Sequence, residues 1–267
     1  MQQLNKVIIQ GIILLALFFG LFFGLSQIDF IKVFDIKQTK LNTASKLGDV
    51  LWKQVEESEV IIHNDTLQKT LDSLISPILE ANDIPKDSIH LHLVSNSQVN
   101  AFAMPNNHLV VYTGLVKDCK KQEALQAVLG HEIAHIRKNH VMQKLSKEIG
   151  LSVLLSATGG NGALIREILK TLSSSAYDRA LEKEADLTAV DYLMKANINP
   201  KPMADFMYQL AQKDVMPDGF GWISTHPESE DRAQYILSYL KGKKIGNKQM
   251  LTSKSWETFK KRIAEED

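Results

Sequence analysis

The run Gly130-His131-Glu132-Ile133-Ala134-His135 sets two histidines four residues apart, with a glutamate beside the first. On a helix, positions i and i+4 share a face, so both imidazoles can reach one ion. The chemistry this implies is metal-assisted hydrolysis. His131 and His135 hold zinc, and Glu132 takes a proton from the attacking water. Ala127, Val128, Ile133, Ala134 and Ile136 are apolar and imply a buried helix.

A catalytic zinc site takes a third protein ligand and keeps one position open. Candidates lie in Arg179-Ala180-Leu181-Glu182-Lys183-Glu184-Ala185-Asp186. Glu182 and Asp186 share a helical face, while Glu184 turns roughly 160° away from Asp186 and reads as a solvated surface residue. In one reading Glu182 is the ligand and Asp186 accepts the outer N–H of a ligand histidine. In the other, both belong to an ordinary surface i, i+4 charge pattern. The residues alone leave the two readings open.

The elements that must position these groups follow from periodicity. Asp49 to Ile62 and Thr66 to Ala81 read as helices, with Asp65 a candidate N-cap for the second. Ile89, Leu91 and Leu93 alternate with His90 and His92, the pattern of a strand. Val99 to Met104 and His108 to Thr113 form two more strands around a Pro105-Asn106-Asn107 turn. Gln122 to Leu145 reads as one long helix, and Ile149 to Ala157 as an apolar continuation. Helices over 163–172, 179–195, 203–212, 228–240 and 255–265 complete the chain. The expected fold class is α+β, mostly helical with a small sheet.

The chain has 267 residues, 44% apolar and 23% charged, which excludes collagen-like and mainly disordered classes. Lys+Arg and Asp+Glu balance at 31 each, so no global field favours nucleic acid. With one cysteine, Cys119, there is no intrachain disulfide and no Cys-based zinc ribbon or thioredoxin-type site. Val7 to Leu25 carries no charge and as a helix is roughly 28 Å long, close to the bilayer hydrocarbon thickness. It exceeds the apolar region of a signal peptide, and no small-x-small cleavage site follows it. The expectation is a retained transmembrane anchor. The division expected is tail 1–6, anchor 7–25, linker 26–45, catalytic domain 46–245 and C-terminal tail or helix 246–267.

The chain resembles the HtpX and CAAX-prenyl-protease family of gluzincin zinc peptidases, especially its single-domain BepA-like and Oma-like branch. Several motifs carry the likeness in order. They are Val99-Asn100-Ala101-Phe102-Ala103-Met104-Pro105, Tyr112-Thr113-Gly114-Leu115, and His131-Glu132-Ile133-Ala134-His135. Arg179 with Glu182, Ala185 and Asp186 follows, then Thr225-His226-Pro227 with Arg232. The resemblance implies a zincin-like fold with one Zn2+ per subunit, held by His131, His135 and Glu182. It makes Glu132 the general base and sets Asp186 behind the ligands. It brings His226 into the cleft from a downstream loop, to approach the metal or stabilise the reacting carbonyl.

The strand Asn100, Ala101, Phe102 and Ala103 would bind an extended peptide by β-addition. The implied partners are protein or peptide substrates and, through the N-terminal helix, a membrane, with no nucleic acid. The implied function is a metalloendopeptidase in protein quality control, its domain on the extracytoplasmic, periplasmic side. Lys32, Lys37 and Lys40 argue the other way on orientation. A non-catalytic zinc-binding chaperone or assembly factor is the alternative, and Glu132 argues against it. A prenyl protease would need several spans, and one is expected. Asn106-Asn107 departs from the family's glycine-containing turn. His63, His90, His92 and His108 read as surface or strand residues, and His140 is given no role.

Overall fold

A computed structural model describes residues 36–212, 225–227 and 229–267, together with Leu15, Phe18, Phe19 and Trp222. The chain divides into two units, 1–43 and 44–267. Within the first, Leu15, Phe18 and Phe19 are helical and exposed.

The second unit is α+β, as expected, with a mixed four-stranded sheet. Helix α1 (Ile36–Ser58) begins inside the expected linker and leads to strand β1 (Val60–Ile61) and helix α2 (Asp65–Ala81). Asn64, not Asp65, caps α2, accepting the backbone N–H groups of Thr66 at 3.1 Å and Leu67 at 3.2 Å. Strands β2 (His90–Ser95), β3 (Ala101–Ala103) and β4 (His108–Tyr112) follow.

The sheet order is β1-β2-β4-β3, with β2 and β4 parallel and both outer pairs antiparallel. Asn106 and Asn107 adopt φ of 60° and 59°, so asparagine meets the left-handed requirement of the β3–β4 turn. Strand β4 is buried on both faces: Leu109 and Val111 enter one core, Val110 and Tyr112 the other. Gly114, just beyond it, could carry no side chain. A Cβ there would lie 2.3 Å from the carbonyl oxygens of Ser97 and Gln98.

Among the described residues, eight helices follow the short α3 (Thr113–Asp118). They are α4 (Gln122–Arg137), α5 (His140–Glu148), α6 (Leu151–Ala157), α7 (Gly162–Ser174), α8 (Arg179–Lys195), α9 (Lys201–Gln212), α10 (Ser229–Leu240) and α11 (Ser253–Glu265). The expected single helix over 122–145 is two. Asn139, at φ 59°, leaves the right-handed region and turns the chain between α4 and α5. The main core lies between the sheet, α2, α4 and α8–α11. A second core fills the opposite face, where Leu47, Leu51 and Val55 of α1 meet side chains of α5–α7. Within 246–267, Trp256, Phe259 and Ile263 of α11 join the main core.

The expected single-pass anchor, with the domain on the periplasmic side, is corrected. Among the described residues no helix is long and apolar enough to cross a membrane. The longest, α1 with 23 residues, carries Lys46, Asp49, Lys53, Glu56 and Glu57, and such charges are costly in hydrocarbon. Apart from Leu15, Phe18 and Phe19, the segment Val7 to Leu25 lies outside the described residues.

Candidate metal centre

Helix α4 is buried continuously from Gln122 to His135. Its one-turn spacing brings the Nε2 atoms of His131 and His135 to 2.9 Å from each other. Helix α8 packs on α4 and supplies Glu182, whose Oε1 lies 3.3 Å from His135 Nε2. His226 donates its backbone N–H to the carbonyl of Trp222, four residues earlier, at 2.8 Å. Its Nδ1 sits 2.8 Å from Glu182 Oε1 and 3.2 Å from His131 Nε2. One donor atom from each of His131, His135, Glu182 and His226 fits within 4.8 Å, and all four residues are buried.

Glu132 projects from the same helix but lies to the side of this set. Its Oε1 faces His226 Nε2 at 3.2 Å and accepts the Trp222 indole N–H at 3.4 Å. Its Oε2 accepts the Ala103 backbone N–H at 3.0 Å. Behind the ligands, Asp186 Oδ1 stands 2.8 Å from His131 Nδ1. Arg232 grips Asp186 with two bonds, Nε at 2.8 Å and Nη2 at 2.7 Å, and Tyr235 donates to the same carboxylate.

Burial and charge compete at each group. Burial would raise the Asp186 carboxyl, but Arg232 holds it well below the usual carboxylate range. Glu182 is likewise held low against burial by His226 and Arg232. Burial would lower His226, yet Glu182 and Glu132 raise it to about 9. Burial, then His131, lowers His135 to about 3, so that ring stays neutral.

The donor set fits a divalent cation. Two imidazole nitrogens facing one another at 2.9 Å and a buried carboxylate are the ligand types zinc takes. Glu182 Oε2 is buried without a hydrogen bond, Arg232 Nη1 lying 2.8 Å away outside bonding alignment.

The structure thus brings together His131, Glu132, His135, Glu182, Asp186 and His226. It also puts the expected substrate strand at the sheet edge beside Glu132, though Asn100, Ala101, Phe102 and Ala103 are all buried. The Val99 carbonyl already accepts the Trp222 N–H at 3.0 Å. Glu184 is half-exposed, as expected, but pairs with Lys138 at 2.9 Å.

Sequence reasoning assigned no role to Trp222, Tyr177 or His140. Trp222 stands four residues before His226, which was the available signal. Tyr177 lays its ring 4.1 Å from that of His135, and nothing in the local pattern points to it.

Residues 65–240 match Peptidase family M48. The chain is 27% identical over 213 residues to "Metalloendopeptidase OMA1, mitochondrial" of Bos taurus, covering 72% of this chain and 41% of that protein. It is 23% identical over 202 residues to the "Beta-barrel assembly-enhancing protease" of Yersinia pestis, covering 70% and 41%. Against "Metalloprotease LoiP" of Escherichia coli K12 it is 26% identical over 181 residues, covering 65% and 70%. The matches thus span about two fifths of the length of the first two relatives.

Proposed function

The chain belongs to peptidase family M48, in its Oma-like and BepA-like branch, and from that premise we propose that it is a zinc-dependent endopeptidase. One observation carries the reading. Four buried donor groups converge while Glu132, on the same helix, stays beside the set with an oxygen turned to the substrate strand. A site that only stored a metal would have no need of that carboxylate.

His131, His135 and Glu182 hold the ion. Bound there, zinc supplies a Lewis acid that polarises a carbonyl and acidifies water. Glu132 accepts the proton of the attacking water and delivers it to the leaving amine. His226 keeps Glu132 ionised against burial. With its own raised affinity for a proton, it also stabilises the negative charge that develops on the carbonyl oxygen in the transition state. Asp186, fixed by Arg232, orients His131.

An extended peptide adds to the outer edge of β3, over residues 100–103, once Trp222 gives up the Val99 carbonyl. Backbone recognition of this kind suits unfolded chains, and the proposed role is quality control of misfolded proteins. The catalytic unit is residues 46–245, with 246–267 packed on it as a C-terminal helix.

The test is hydrolysis of unfolded casein by the full chain, with metal analysis. Activity should disappear with a zinc chelator and return with added zinc. Stoichiometric zinc with no hydrolysis would overturn the reading in favour of a non-catalytic zinc-binding chaperone.

A further inference from the structure

His140 takes no part in the chemistry described so far, yet only 1% of it is exposed. Its Nδ1 lies 3.1 Å from Nδ1 of His135. Its Nε2 lies 3.4 Å from Glu184 Oε2, and the other oxygen of Glu184 meets Lys138 Nζ at 2.9 Å. His135 therefore has two differently occupied edges. Nε2 faces the convergent donors, and Nδ1 faces His140.

A ring nitrogen that binds a metal must offer its lone pair, so a neutral His135 carries its proton on Nδ1. That N–H requires an acceptor, and His140 Nδ1 is the atom opposite. His140 must then carry its own proton on Nε2, which faces the Glu184 carboxylate at the long end of bonding distance. The reverse arrangement, with His140 donating from Nδ1, would leave the His135 proton on Nε2 and block ligation. Only the first assignment suits all three groups.

We propose that His140 is a positioning residue. It holds His135 in the Nδ1-protonated tautomer and so presents Nε2 to the metal, while Glu184 holds His140. The proposal rests on His131, His135 and Glu182 being the ligands.

The turn at Asn139 makes the contact possible. In an unbroken helix, five residues rotate the side chain by roughly 500°, leaving His140 about 140° away from His135. The left-handed Asn139 ends α4 and restarts the chain as α5, with His140 at its first position beneath His135. The two ligand histidines thus have different supports. Behind His131 is a buried carboxylate locked by arginine, and behind His135 a neutral imidazole that leans on a half-exposed glutamate.

The experiment compares full-length His140→Asn and His140→Leu with wild type. Asparagine keeps an acceptor oxygen near the place of Nδ1, and leucine keeps bulk alone. Zinc affinity is read by competition with a chromophoric chelator, and ligand geometry from the absorption spectrum of the cobalt(II)-loaded protein. His140→Leu should weaken zinc by about 10–100-fold, the usual cost of losing an outer partner, and should alter the cobalt spectrum. His140→Asn should recover most of the affinity and the wild-type spectrum. Wild-type affinity in His140→Leu would overturn the proposal. So would equal losses in both variants with equal falls in metal-free melting temperature, since that is the mark of a packing role. A Glu182→Ala control that binds zinc like wild type would instead overturn the ligand assignment.

Discussion

His90, His92 and His108 gather on the sheet, while His131 and His135 of the metal helix meet His226 from a distant stretch of the chain, and the two groups differ in what stands beside the rings. On the sheet, His92 Nε2 meets His108 Nδ1 at 2.9 Å, and Trp52 stacks on His92 with ring centres 3.5 Å apart. Burial lowers His92 to about 3 and His108 to about 4, and the neighbouring histidines push the same way. His92 and His108 are neutral rings serving as flat packing groups. At the helix, burial acts in the same direction, but Glu182 and Glu132 reverse it for His226. Among the described residues, only the second group meets the conditions for holding an ion. Histidines in proximity do not make a metal site. Convergent lone pairs with a carboxylate among them do.

The sharpest way to test this contrast is catalysis. Glu132→Gln should retain zinc and lose activity by roughly 10³-fold in kcat, because the amide keeps the shape but accepts no proton. His92→Gln should leave kcat near wild type in the same assay. Near-normal turnover by zinc-loaded Glu132→Gln would sink the mechanism.

Metal content comes next. Glu182→Ala should weaken zinc by more than the ~100-fold that removal of an outer partner can cost, as measured by chelator competition. His108→Gln should remain stoichiometric. Loss of zinc from His108→Gln would erase the distinction between the two clusters.

A third effect falls on stability. Asp186→Ala removes the anion that pairs with Arg232, whose side chain is only 3% exposed. Breaking this buried pair should cost up to about 3–5 kcal/mol, with Glu182 left as the guanidinium's one charged neighbour among the described residues, read from urea unfolding of the metal-free protein. A cost near zero would show that Arg232 finds other partners.

The smallest effect concerns pH. His92 and His108 have folded-state values below the ordinary 6.5, so the unfolded chain takes up protons first. Stability is therefore complete above about pH 6.5 and declines as the pH falls toward about 4 and then 3. The double variant His92→Gln/His108→Gln should show a shallower drop in urea midpoint between pH 7 and pH 5. An unchanged slope would mean that the sheet histidines are not held neutral by burial.

Much of this molecule could be read locally. The alternation through Ile89, Leu91 and Leu93 announced β2, and the apolar run around His131 announced a buried helix. The cap of α2 was missed by one residue, because Asn64 and Asp65 both offer an acceptor and only the backbone conformation chooses between them. The break at Asn139 was missed for a related reason. Helical periodicity continues on both sides of it, and no glycine or proline marks the turn.

The sequence by itself determined the helix that carries the two histidines, the carboxylate beside the first of them and the α+β order of elements, because i, i+4 spacing and strand alternation are properties of a few adjacent residues. Only the tertiary structure decided which carboxylate joins the histidines, where His226 points and how His140 backs His135. Glu182 and His226 are 44 residues apart, and His131 and His226 are 95. No local period spans such separations. The packing of α8 on α4, the turn from Trp222 to His226 and the reversal at Asn139 set these distances, and with them the chemistry.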